Sequence, residues 1–157
     1  MNSLLPETRL LNDSGAPVYA TIVPVMVFLL SACTSAPGHP VAAGPLPECG
    51  WLPNCVNTQS GEGGQAAEPL AASAAKWQAL KAWLGRQPDW HIVSDTGNFM
   101  QLTATTPALG FTDDVQLLFL PSLQLIQVRS SSRLGISDLG ANRKRVEALR
   151  EQLLTLD

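Results

Sequence analysis

The run Val115–Leu120, VQLLFL, turned back at Pro121-Ser122 into Leu123–Arg129, limits the fold of this chain more than any other segment. Two apolar, β-prone runs around a tight turn read as a hairpin. The first run hardly alternates, which suits a central strand buried on both faces. Upstream, Trp90–Ser94 reads as a strand and Thr96-Gly97-Asn98 as its turn. Phe99–Thr105 then alternates, with Met100, Leu102 and Ala104 on one face and Gln101, Thr103 and Thr105 on the other. A loop through Pro107 and Gly110 leads into the hairpin.

Helical periodicity brackets these strands. Over Ala71–Arg86, Ser73 is placed to cap, Trp77, Leu80 and Leu84 share a face beside Trp83, and Gly85 and Pro88 stop the helix. Over Leu139–Leu154, Asp138 is placed to cap, and Val146, Leu149 and Leu153 form the stripe. The expected fold is α+β: a single small domain with a four-stranded, mainly antiparallel sheet and two helices on one face, in the order α-β-β-β-β-α.

The N-terminal part has a different character. Ala16–Leu30 is uncharged and apolar and ends in Ser31-Ala32-Cys33. As a helix it would reach about 22 Å, short of a hydrocarbon core of about 30 Å, and Pro24 would kink it. An apolar run ending in small residues reads as a signal peptide. Leu30-Ser31-Ala32-Cys33 resembles the bacterial lipobox, which implies cleavage before Cys33 and acylation (palmitate among the chains) of its thiol. Residues 1–32 are thus expected to be a lipoprotein signal peptide, 33–47 a lipidated Cys and Pro/Gly/Ala-rich tether, and 48–157 the folded domain. Thr34, where an Asp would retain an inner-membrane lipoprotein, favours the outer membrane, with the domain facing the periplasm.

With Cys33 acylated, Cys49 and Cys55 remain. In an oxidising compartment they are expected to pair across Gly50-Trp51-Leu52-Pro53-Asn54, with free thiols or a metal site as the alternatives. His39 is the only nearby ligand type, a poor match to a zinc framework.

Polar chemistry concentrates late. Six of the ten basic residues lie between Arg129 and Arg150, within a chain of net charge −3. Asp113 and Asp114 open one hairpin strand and Arg129 closes the other, so either Asp can meet Arg129 or Arg133. Gly135 and Gly140 shape a loop that runs into a helix N-terminus, a natural anion site. Ser130, Ser132, Asp138, Asn142, Arg143 and Arg145 complete the constellation, with Arg143 and Glu147 spaced to pair along a helix face. It reads either as an ion-pair network fixing the loop or as an anion or ligand site. Nucleophile-elbow, metalloprotease and phosphate-loop patterns are absent, and neither His39 nor His91 joins a triad.

Phe111-Thr112-Asp113-Asp114-Val115, the Arg129–Arg145 stretch RSSSRLGISDLGANRKR and Pro53-Asn54-Cys55-Val56 together resemble the bacterial and plastid family called domain of unknown function 1499, over roughly Cys49–Leu154. The resemblance implies membership but no activity. Gln116 stands where many members carry Glu, and Ile136 where an aromatic is common, which weakens an acid–base role at position 116. The expectation is a lipid-anchored envelope protein without cofactor or metal: a non-enzymatic binding or structural module using the Arg/Asp-rich loop. Its expected partners are the membrane, an envelope protein or an anionic ligand, not nucleic acid. The alternative is a hydrolase or transferase of an anionic envelope substrate, with Asp113 or Asp114 as base and Arg129 and Arg133 as clamps.

Overall fold

The computed structural model describes residues 45–106 and 110–156. The expected signal peptide, Cys33, His39 and most of the tether lie outside the described residues, as does Pro107.

The hairpin forms as β5 (Thr112–Leu120) and β6 (Leu125–Ser132), antiparallel from Leu120 opposite Leu125 to Asp113 opposite Ser132. Their connection is four residues long, with Gln124 at φ 51°. β4 (Phe99–Thr105) pairs on the other side of β5, and β3 (Trp90–Asp95) pairs with β4. β5 is therefore central, and its residues from Asp113 to Phe119 are all buried.

The sheet has six strands, not the expected four. β1 (Cys55–Asn57) and β2 (Leu70–Ala71) both pair antiparallel with the outer edge of β6, giving the order β1-β6-β5-β4-β3, with β2 taking a separate stretch of the same β6 edge as β1. At three and two residues they carry no periodicity to read. The α-β-β-β-β-α order is corrected accordingly: among the described residues, two short strands and a 3-10 turn (Gly63–Gln65) precede the helix that contains Trp77. Ser130–Ser132, beyond the expected end of the strand at Arg129, continue β6, because their backbone groups pair with β1 and β5.

Helix α1 (Ala74–Leu84) starts where the Ser73 hydroxyl accepts the Lys76 N–H, and ends at Gly85. It buries Trp77, Leu80 and Leu84. Helix α2 (Ala141–Thr155) buries Val146, Leu149 and Leu153. Both lie on the sheet face formed by Met100, Leu102, Ala104, Val115, Leu117, Phe119, Ile126 and Val128. Trp77 stacks on Phe119 with ring centroids 5.7 Å apart and donates its indole N–H to Gly97 O at 2.9 Å, so burial leaves no indole donor unmet. Each fully buried leucine here contributes about 2 kcal/mol. A smaller cluster, Leu46, Phe99 and Leu118 with Leu120, lies on the opposite face.

Candidate functional site

Adjacent residues of a strand point to opposite faces, and this separates the two aspartates of β5. Asp113 turns to the helix side. Its carboxylate accepts from Arg145 Nη2 of α2 at 2.6 Å. Arg145 Nη1 donates to Ser130 Oγ (2.8 Å) and to Asn142 Oδ1 (2.7 Å), and Ser130 Oγ donates to the same Asn142 oxygen (2.6 Å). Asn142 Nδ2 donates to Asn54 O (2.8 Å) and Ser132 Oγ (3.1 Å). These bonds join α2 to β5, β6 and the approach to β1. Asn142 and Ser130 are wholly buried, and both Asn142 side-chain atoms are bonded.

Asp114 turns to the far side. It takes a two-bond fork from Arg133 Nε (2.9 Å) and Nη2 (2.8 Å). This hydrogen bonding, with the Asp114 charge, outweighs burial and raises the Arg133 pKa above its ordinary value. Arg129 shares the face but makes no such pair. Burial lowers its pKa, and the Asp114 charge only partly opposes this. Its Nε and Nη1 are buried without a hydrogen-bond partner, as is Oε1 of Gln116 on the neighbouring strand.

The loop between β6 and α2 is held from within. Asn54 Nδ2 donates to Gly135 O at 2.8 Å. Asp138 accepts the N–H of Gly140 (2.9 Å) and of Asn142 (2.8 Å), so the first turn of α2 receives its own anion. Leu139 and Gly140 both have left-handed backbone, at φ 52° and 81°. Between these anchors the loop exposes Leu134 (48%), Ile136 (73%) and Leu139 (89%), near Phe111. A hollow of about 160 Å³ lies among Phe111, Leu134, Ser137 and Leu139.

Arg143 leaves the cluster altogether. Its Nη2 donates to Gly64 O (2.9 Å) and Ala66 O (2.6 Å), closing one side of a cleft of about 290 Å³ beside Trp51 and Gln65. Glu147 pairs with Arg150 at 2.9 Å, not with Arg143, because nearby carbonyls capture the Arg143 guanidinium. Cys49 and Cys55 are joined, with Cα atoms 5.7 Å apart. His91 is exposed on β3, in register with Asp114 through Thr103 but separated from β5 by the whole of β4, and on the sheet face opposite the Asp113–Arg145 pair. Among the described residues no group of three or more His, Cys, Asp or Glu is placed to hold a metal.

The sequence-predicted residues thus divide. Asp113, Ser130, Ser132, Asn142 and Arg145 meet in one network, Asp114 and Arg133 form a separate pair, and Arg129 stands apart from both. Sequence reasoning missed Asn54 and the position of Gln116 across from Arg129. The Pro-Asn-Cys-Val motif flagged the first, and strand register alone carried the second.

A six-stranded, mainly antiparallel sheet with both helices on one face and an Arg/Asp-rich β6–α2 loop defines a small α+β domain. The chain belongs to the family described as "Protein of unknown function (DUF1499)", whose family model matches residues 45–153. No curated protein and no solved structure matches the chain.

Proposed function

We propose that this protein is an envelope lipoprotein, acylated at Cys33 after removal of residues 1–32. Its domain is a non-enzymatic binding module that engages an envelope protein through the β6–α2 loop. The observation that carries this reading is Leu139: a branched apolar side chain, 89% exposed, on left-handed backbone at φ 52°. An L-residue other than Gly or Asn gives up about 1–2 kcal/mol in that conformation. Strain of this kind persists at sites where geometry serves a role. The Arg/Asp residues support the same reading as scaffolding. Both candidate bases, Asp113 and Asp114, are engaged by arginines. The paired carboxylates and the Asn54–Gly135 bond stiffen the loop that displays Leu134, Ile136 and Leu139.

Among the described residues no helix is long and apolar enough to cross a membrane. Attachment through Cys33 is read from the sequence: a labelled palmitate analogue fed to a bacterial host should mark the chain and fail to mark Cys33→Ala. Binding is tested by photo-crosslinking in those cells from a reactive residue at position 139, with exposed position 154 on α2 as control. A discrete adduct at 139 that Ile136→Asp abolishes is the expected result. Equal labelling at 139 and 154, or no adduct at either, would sink the proposal.

A further inference from the structure

The face of the sheet away from the helices carries one row of polar side chains, aligned by strand register. Asn57 of β1 lies beside Arg129 of β6, Arg129 beside Gln116 of β5, Gln116 beside Gln101 of β4, and Gln101 beside Ser94 of β3. A bulge at Val93 brings Ser94 into the row. Sheet interiors seldom place five polar residues abreast, because each must find partners once buried. At the β1 end this is achieved. Asn57 donates to Pro47 O and Ser60 Oγ and accepts the N–H groups of Gln59 and Ser60.

The rest of the row is not satisfied. Ser94 Oγ, Gln116 Oε1, Arg129 Nε and Arg129 Nη1 are the buried side-chain atoms without a partner among the described residues, and all four belong to it. Gln101 makes one long contact, from Nε2 to Leu102 O at 3.5 Å. Arg129 is 8% exposed and Gln116 2%.

Charge sharpens this. Asp114 is the carboxylate that acts on Arg129, and it is already held by the two-bond fork from Arg133. Two arginines and one aspartate leave one positive charge uncompensated. A guanidinium cannot shed its proton, and a buried charge without a partner is costly. The row therefore calls for one negative charge at Arg129. A dianion would meet Asp114 and is disfavoured. Gln116 lies directly across from Arg129, with their Cβ atoms about 5 Å apart as for any such pair, and its unpartnered Oε1 calls for a hydrogen-bond donor.

From this geometry we infer that the row is a binding site for a small monoanionic hydroxycarboxylate, its carboxylate on Arg129 and its hydroxyl donating to Gln116 Oε1. The site uses neither Leu139 nor the apolar loop, so it stands or falls separately from the binding role proposed above.

The test is calorimetric titration and thermal unfolding of the full chain in detergent, at ionic strength fixed with chloride, using glycolate, acetate and inorganic phosphate. Glycolate is expected to bind saturably at one per chain and to raise the unfolding midpoint, with acetate weaker. Gln116→Leu should weaken glycolate about tenfold, to the level of acetate, because it removes the acceptor and leaves the charge. Arg129→Met should abolish both. Should Arg129→Met fail to fold, Gln116→Glu provides the second variant: its carboxylate neutralises Arg129 from within, and the folded protein should respond to no anion. Absence of saturable glycolate binding in the wild type would overturn the inference and leave Gln116 and Arg129 bonded to each other. Preference for phosphate over glycolate, or glycolate binding that survives in Gln116→Glu, would overturn it equally.

Discussion

Replacing Asn142 with Ala tests whether the buried network on the helix side holds the domain together. The Asn142 side chain makes four hydrogen bonds, to Asn54, Ser130, Ser132 and Arg145. Three are between neutral groups, worth about 1 kcal/mol each net, and the fourth comes from a guanidinium and is worth about 2 kcal/mol. Two partners keep other bonds: Asn54 O still accepts from Ser132 N, and Ser130 Oγ still accepts from Arg145. Alanine also gains about 0.5 kcal/mol in helix propensity. The expected net loss is about 3–4 kcal/mol, a large share of the roughly 5–15 kcal/mol typical of a domain. Urea unfolding followed by the fluorescence of Trp77, buried against Phe119, reads this directly. The midpoint should fall by roughly 2–4 M with an unchanged slope. Asn142→Asp separates the halves of the network, because a carboxylate keeps the acceptor for Ser130 and Arg145 but cannot donate to Asn54 O. It should cost less than Ala yet remain measurable. A loss below about 1 kcal/mol for Asn142→Ala would refute the reasoning, and the network would then contribute geometry without net stability.

Four further outcomes are expected. Asp113→Asn, which leaves the Arg145 guanidinium without its counter-ion, should cost about 3 kcal/mol in the same urea assay. Reducing the Cys49–Cys55 bond, or replacing both residues with Ser, should lower stability by about 2 kcal/mol through the freedom returned to the unfolded chain, seen as a lower unfolding midpoint. For Asp95, burial acts to raise the pKa, but the Lys81 hydrogen bond, the Gly97 N–H and the Lys81 charge together hold it below the usual 3.8. Its contribution, under about 1 kcal/mol at so exposed a pair, is fully present above that usual value and fades as pH falls through the lower folded value. Wild type and Asp95→Asn should therefore differ near neutrality and converge in acid when midpoints are compared across pH. Leu139→Gly should be neutral or stabilise by up to about 1 kcal/mol in thermal unfolding, since relief of the left-handed strain exceeds the entropy that glycine adds to the unfolded chain.

Much of the fold was legible where elements are long enough to show a period. The stripes of α1 and α2 and the alternation of β4 reach from the sequence into the core unchanged. The site was legible by residue but not by pairing, and the hairpin turn explains why. A two-residue turn at Pro121-Ser122 would put Leu123 across from Leu120 and Asp114 across from Arg129. The actual turn runs through Gln124, so Asp114 lies opposite Ser131 and Arg129 opposite Gln116. A shift of two keeps every side chain on its proper face, so apolar patterning cannot detect it. Only the polar partners change: Asp114 meets Arg133, and Arg129 loses the carboxylate that the shorter turn would have supplied. Asp113 found Arg145 through helix docking, a contact that neither strand register nor local spacing encodes.

The two margins of the sheet are finished in different ways, and this bears on how each resists pairing with another copy. The β3 margin carries its own bulge at Val93, a local device that discourages pairing with another molecule. The β6 margin carries none and is sheathed by β1 and β2, which lie more than fifty residues earlier in the chain. The meander from β3 to β6 closes through near-neighbour contacts, whereas the sheath needs the ends of a long loop to meet. A copy in which β1 and β2 were displaced would present β6 bare, open to a strand from another copy. The short segments from Cys55 to Ala71 thus guard that edge from within the chain, and the Cys49–Cys55 link braces the end of β1 from which they begin.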